Sequence, residues 1–219
     1  MKNVTIIDDF LPEHDFKIIN KLFLDNENSV IPWKMSASDY DAEDTETLGI
    51  NLTENMGDKK TVFTRDSSTP SPSQLVHMFY FDNGDVTSEH ISVVFPILQK
   101  IYPFSIFRIK ANLKIKASDI LMDNWHSDLY NPILSIHLDE KKVSHWTTSI
   151  YYVNSNNGYT EFKDGSRCKS VGNRLLTFPA NMLHRGTSCT DEDVRVVINF
   201  NYFNARKEIR REENEAKGF

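Results

Sequence analysis

A mainly β chain folded as an antiparallel double-sheet barrel, with helices against its outside, is the architecture the sequence predicts. Three observations predict it. Short segments rich in β-branched and aromatic residues recur from Phe104 to Phe203. Turn signals such as Asn156-Asn157-Gly158 and Lys163-Asp164-Gly165 separate them. Stripes at helical spacing are confined to the part of the chain before Phe104.

Taken in order, Val4 to Ile7 reads as a short strand. A helix follows from Pro12 to Leu24, with Phe16, Ile19, Leu22 and Phe23 on one stripe and Pro12 at its start. Residues 29–72 are the least regular stretch. They include the acidic run Asp39 to Glu46 and the Ser/Thr/Pro cluster Ser67 to Pro72, and read as a solvated surface loop. Leu75 to Phe81 is a strand ending in the turn Asp82-Asn83-Gly84-Asp85. Ser88 caps a second helix carrying Ile91, Val94, Phe95 and Leu98, which Pro96 kinks or divides. The barrel strands are then Phe104–Ile115, Ile120–Asp128, Thr147–Val153, Tyr159–Phe162, Arg174–Phe178 and Val194–Phe203. The tail 204–219, rich in Lys, Arg and Glu, has no apolar face and is expected to be an exposed helix or a frayed end.

The whole is expected to be a single domain: 1–103 as helices, strands and a variable loop, 104–203 as the barrel, and 204–219 as the charged tail. A chain of 219 residues is long enough to bury a substantial core. No apolar run approaches the roughly 20 residues that span a membrane, so no membrane partner is expected. The net charge is −6 and no Lys/Arg stripe stands out, which argues against nucleic acid as a partner. No secretory leader is visible at Met1 to Asp9, and Cys168 and Cys189 form no CxxC pair. Both features point to a reducing, cytoplasmic setting.

Chemistry concentrates between Asn124 and Phe203. His126 and Asp128 are two residues apart, so on an extended segment both leave the same face and can grip one ion. His184, after the apolar run Leu175 to Phe178, lies far enough along to return across a double-sheet barrel and supply a third ligand. Two imidazoles and one carboxylate suit Fe(II), because they leave coordination positions open. Arg195 is the only arginine in the strand Val194–Phe203, where a guanidinium is costly unless an anion meets it. Alternation puts Arg195, Val197 and Asn199 on one face, so Arg195 and Asn199 both fit a barrel interior. Tyr152 shares a face with Thr148 and Ile150. Tyr151 and Asn173 are weaker candidates, Trp125 reads as a pocket wall, and Arg185 as a solvent-facing residue. A second HxD, His137-Leu138-Asp139, competes with the first. The compact connection from Leu113 to His126 favours His126/Asp128, whereas the nearness of Asp139 to Tyr151-Tyr152 favours the other. On the first assignment Leu129 to Trp146 is an inserted loop, and His137 and His145 are surface or lid residues.

These pieces resemble the catalytic core of the 2-oxoglutarate- and Fe(II)-dependent oxygenases. The likeness is strongest to the prolyl-4-hydroxylase-like branch and its small phage-encoded members. It rests on His126-Ser127-Asp128, Thr147 to Asn154, Asn156 to Phe162, Asn173-Arg174, His184 and Arg195, and covers a little under half of the chain closely. Ile7 to Pro12 and His77 to Tyr80 resemble the phage members more weakly. The resemblance implies a double-stranded β-helix of the jelly-roll or cupin type. It implies Fe(II) on His126, Asp128 and His184, and 2-oxoglutarate with its far carboxylate on Arg195. Tyr152 would donate a hydrogen bond to that carboxylate and O2 would be the oxidant, with ascorbate compatible as an accessory reductant. It also implies hydroxylation of a C–H bond with release of succinate and CO2. A peptide, a prolyl residue or a small molecule would be the substrate, in the host cytoplasm if the chain is phage-encoded. The competing readings are a non-catalytic jelly-roll module, for binding or associated with a virion, and a cupin-type isomerase that has no use for Arg195 as a clamp.

Overall fold

A computed structural model of the protein describes residues 3–25, 31–36, 74–81, 85–129 and 143–204. The acidic run, the Ser/Thr/Pro cluster, His137, Asp139 and the charged tail beyond Asn204 lie outside the described residues.

The strands are β1 (Thr5–Ile7), β2 (Lys34–Ser36), β3 (Gln74–Phe81), β4 (Asp85–Val86), β5 (Ser105–Ile115), β6 (Trp146–Tyr152), β7 (Tyr159–Phe162), β8 (Arg167–Lys169), β9 (Arg174–Pro179), β10 (His184–Gly186) and β11 (Val194–Phe203). The helices are α1 (Glu13–Leu24) and α2 (Phe95–Ile101), the latter preceded by a 3-10 turn at Ile91–Val94. The large sheet runs β1-β9-β6-β11-β5-β3-β2, with β4 added to β3, and the small sheet runs β10-β7-β8. Every pairing is antiparallel. The double-sheet barrel with flanking helices is therefore the architecture found.

Alternation along the long strands decides which side chain meets which layer. Val196, Ile198, Phe200 and Tyr202 of β11 join Tyr151, Val153, Leu175, Ile109, Ala111 and Leu113 in the core that packs α1 and α2, through Ile19, Phe23 and Ile97. The opposite face of the same strands looks into the barrel. There Ile150, Tyr152, Leu176 and Val197 meet Phe162, Cys168 and Phe178 in a second, smaller core. Arg195, Asn199 and Asn201 share that inward face with Arg108, Lys110, Asn112 and Lys114, because residues directly opposite one another on β11 and β5 stand on the same side.

Three expectations need correction. Ile120–Asp128 is not a regular strand. It touches the β10 region through two isolated bridges, Met122 to Thr187 and His126 to His184. Those two pairings are out of register by one residue, so the segment carries an extra residue and bulges between them. The second helix starts later than its stripe suggests. Pro96 sits in its first turn, where a missing N–H costs nothing, and a 3-10 turn takes up the residues before it. The Ser88 hydroxyl does accept the His90 N–H (3.0 Å), and it also bonds His77 Nε2 (2.8 Å). Finally, His184 opens a short strand, His184–Gly186, that the strand pattern did not include.

Candidate functional site

The site lies inside the barrel, where the bulged 120s segment runs beside β10. His126 and His184 exchange backbone hydrogen bonds there, which puts their rings 4.6 Å apart. Asp128 follows two residues on, buried, with Oδ2 4.0 Å from His184 Nε2. One nitrogen or oxygen from each of His126, Asp128 and His184 lies within 4.8 Å of the other two. His137 and Asp139 lie outside the described residues, so the first HxD is the one seen beside His184.

Both histidines are set for ligation by their backbone neighbours. His126 Nδ1 meets the carbonyl of Asn124 at 3.0 Å, and His184 Nδ1 meets that of Met182 at 3.0 Å. A carbonyl only accepts, so each Nδ1 carries the proton and each Nε2 keeps its lone pair. Burial pushes the His184 pKa down to about 4, aided by repulsion from His126 and opposed by Asp128. The ring stays neutral near pH 7. Phe178 packs its edge against the same imidazole at 4.7 Å.

Asp128 is held from two strands. Arg108 of β5 donates to Oδ1 at 3.2 Å and to the Asp128 carbonyl at 3.3 Å. Asn201 of β11 donates to Oδ2 at 3.1 Å, accepts from Arg108 Nε at 3.0 Å, and bonds Thr148 Oγ1 at 3.0 Å. Burial alone would raise the carboxyl pKa. His184, Arg108, His126 and Asn201 outweigh it and keep Asp128 well below the usual carboxylate range. Neither Arg108 nor Asn201 stood out in the sequence. The signal was there for Arg108, since an arginine inside an apolar strand is the argument that selected Arg195.

Deeper in the barrel, Arg195 is 3% exposed and no carboxylate of the described residues pairs with it. Its Nε donates to Ser170 Oγ at 2.8 Å, Nη2 reaches Thr160 Oγ1 at 3.5 Å, and the guanidinium lies 5.7 Å from the Tyr152 ring. Neutral hydroxyls do not balance a buried cation, so among the described residues Arg195 is left without the anion its burial calls for. Gly158 makes room for the arginine stem. A Cβ there would stand 2.6 Å from Arg195 Cδ and 2.7 Å from the Ser188 carbonyl oxygen. The Tyr152 hydroxyl donates to Thr160 Oγ1 at 2.8 Å, and burial raises its pKa far above the usual value. Asn199 is buried beside this space with Oδ1 lacking a hydrogen-bond partner, as is Asn112 Oδ1. The unpaired Arg195 cation fits an anionic ligand, whereas the two amide oxygens, which only accept, call for a donor such as a water or a hydroxyl.

Other expected site residues lie elsewhere. The Tyr151 hydroxyl donates to Asn173 Oδ1 at 3.0 Å on the helix side of the large sheet, and the same oxygen accepts Leu11 N–H at 2.9 Å. That pair fastens the N-terminal segment and is not part of the site. Trp125 does not wall the pocket. Its ring lies under Arg185 (4.2 Å) and Lys163 (4.3 Å) on the outer face of the small sheet, because it alternates with His126. Arg185 is bound there to Glu161 at 2.5 Å rather than free in solvent.

No known family model matches the sequence, and no curated protein does either. Solved structures do match in shape. An oxidoreductase of the 2OG-Fe(II) oxygenase family from Burkholderia pseudomallei aligns with TM-score 0.58 at 11% identity, over 92% of this chain and 85% of that one. A prolyl hydroxylase from Trichoplax adhaerens, solved with a hypoxia inducible factor peptide fragment, aligns with TM-score 0.54 at 14% identity, over 94% and 86%. The non-heme α-ketoglutarate-dependent epimerase SnoN of nogalamycin biosynthesis aligns with TM-score 0.52 at 10% identity, over 93% and 78%. The two sheets, the two cores and the inward-facing His126, Asp128 and His184 are thus built on the double-stranded β-helix fold of the 2-oxoglutarate- and Fe(II)-dependent oxygenases.

Proposed function

We propose that this chain is an Fe(II)- and 2-oxoglutarate-dependent dioxygenase that hydroxylates a C–H bond, forming succinate and CO2. The observation that carries the reading is the pairing of two unlike centres in one barrel: a buried His-Asp-His face, and a buried Arg195 with no carboxylate partner among the described residues. Either alone has bland explanations.

His126 Nε2, His184 Nε2 and one oxygen of Asp128 would hold the iron, and Arg108 and Asn201 keep that carboxylate aimed. When bound, the metal with its 2-oxo acid supplies the activation of O2. The protein supplies the rest. Arg195 receives the far carboxylate, the Tyr152 and Thr160 hydroxyls lie beside it, and Asn199 and Asn112 offer polar contacts along the cavity. Phe178 and Phe162 exclude water from the His184 side. A pure binding module would have to bury Arg195 for no return, and a cupin-type isomerase would have no dicarboxylate to seat there.

For the substrate, the peptide-bound prolyl hydroxylase among the structural neighbours supports a peptide, with a prolyl residue as the first candidate; the inference is by analogy of fold. Iron content and succinate release, measured for the wild type and for His126→Ala, Asp128→Ala and His184→Ala, test the assignment. All three variants should lose both, and undiminished succinate in them would refute it. A panel of prolyl peptides, free amino acids and nucleosides, read by an oxidation mass shift, tests the substrate class.

A further inference from the structure

The barrel end around Arg195 holds two charged groups to which the reading above gives no part. Resting on that reading, we propose that Lys114 and Asp123 form the closed end of the cosubstrate pocket and select 2-oxoglutarate by chain length. Lys114 of β5 stands directly opposite Arg195 of β11, so both cations project into the barrel from neighbouring strands. Two buried cations side by side repel. Asp123 offsets one of them: its Oδ1 accepts from the buried Lys114 ammonium, and its backbone N–H donates to the Gly186 carbonyl at 3.0 Å. The three groups converge on one glycine. A Cβ at Gly186 would stand 2.9 Å from Asp123 Oδ2, 3.7 Å from Arg195 Nη1 and 3.9 Å from Lys114 Nζ.

Charge and length then agree. Lys114 is bonded to Asp123, while Arg195 has no carboxylate partner among the described residues, which suits one carboxylate of a ligand. Gly186 and His184 share the inward face of β10 two residues apart, which on a strand is about 7 Å. That is close to the reach of a five-carbon diacid from a chelating 2-oxo acid end to its far carboxylate. A homologue with one more methylene would press its carboxylate on that of Asp123. A homologue with one fewer would stop short of Arg195.

Calorimetric titration of the full-length Mn(II)-loaded protein, which binds without turnover, tests this with oxaloacetate, 2-oxoglutarate and 2-oxoadipate. The wild type should bind 2-oxoglutarate at least tenfold more tightly than either homologue. Asp123→Ala opens the end and removes the carboxylate that would repel a longer diacid, so 2-oxoadipate should gain at least tenfold relative to 2-oxoglutarate. The double variant Lys114→Met, Asp123→Leu keeps the end closed and should retain the wild-type order. A wild type that binds 2-oxoadipate as tightly as 2-oxoglutarate overturns the proposal, and so does an Asp123→Ala variant that binds Mn(II) with the wild-type order intact. Should Asp123→Ala not fold, the wild-type ratio and the double variant decide. A wild type that holds Mn(II) but binds none of the three acids refutes instead the oxygenase reading on which the proposal rests.

Discussion

His126 and His184 exchange both backbone hydrogen bonds, at 3.0 and 2.9 Å, across a bridge isolated from any longer ladder. The bond pair fixes the backbones, the Asn124 and Met182 carbonyls fix the tautomers, and what is left is two imidazole lone pairs beside Asp128. Divalent metal should therefore stabilise the fold. At a hundredfold excess over its dissociation constant, a metal that binds only the native state adds about 2.7 kcal/mol, which for a chain of this size raises Tm by roughly 5–10 °C. Differential scanning calorimetry with Mn(II) should show that rise in the wild type and none in His126→Ala or His184→Ala.

The same site makes the metal-free protein acid-sensitive. His184 holds its proton less well in the folded chain, with a pKa near 4 against an ordinary 6.5, so on acidification the unfolded chain takes up the proton first. Stability is full above pH about 6.5 and falls as pH drops toward about 4, by on the order of 3 kcal/mol from this group. Asp128, whose folded pKa is lowered, adds a further loss only below its ordinary value of 3.8. Urea denaturation of metal-free protein at a series of pH values should show the first loss in the wild type and its absence in His184→Phe.

Arg108 is a positioning residue for Asp128, and its removal leaves a buried carboxylate without its cation. Arg108→Met should cost the metal-free protein about 3 kcal/mol. Bound iron offsets part of that cost by supplying positive charge, so the deficit should shrink on metal loading. Iron affinity, measured by competition with a chelator, should fall at least tenfold, and Arg108→Lys should recover part of it. Equal destabilisation with and without metal would show that Arg108 supports only the fold.

Gly158 lies against the stem of Arg195, so Gly158→Ala tests the clamp without touching it. The added Cβ would press on Arg195 Cδ, the Ser188 carbonyl and Asn156 Oδ1, at an expected cost of about 1–3 kcal/mol. Affinity for 2-oxoglutarate should fall at least tenfold in calorimetry, with metal affinity unchanged within a factor of about two.

Much of this was legible in the residue pattern, and the misses have physical causes. β6, β9 and β11 are long, apolar and alternating, so their faces could be assigned, and Arg195 and Asn199 were placed correctly inside the barrel. The 120s segment was read as a strand because HxD spacing fits one. One extra residue between the two bridges breaks that period, while leaving ligand atoms of His126 and Asp128 within 4.8 Å of each other. Tyr151 and Tyr152 could not be separated by apolar character, since β6 is buried on both faces, and only pairing with Asn173 or Arg195 tells them apart. Arg108 and Lys114 carried a readable signal. They stand at alternating positions of an apolar strand, on the face that alternation assigns to the barrel.

The most direct test of the central claim is the visible absorption spectrum of the protein under anaerobic conditions with Fe(II) and 2-oxoglutarate. Chelation of iron by a 2-oxo acid gives a metal-to-ligand charge-transfer band. The wild type should develop it with one equivalent of 2-oxoglutarate per iron, and Arg195→Ala should require at least tenfold more acid to reach the same intensity. A wild type that binds iron but develops no such band, or an Arg195→Ala variant that titrates identically to it, would contradict the account.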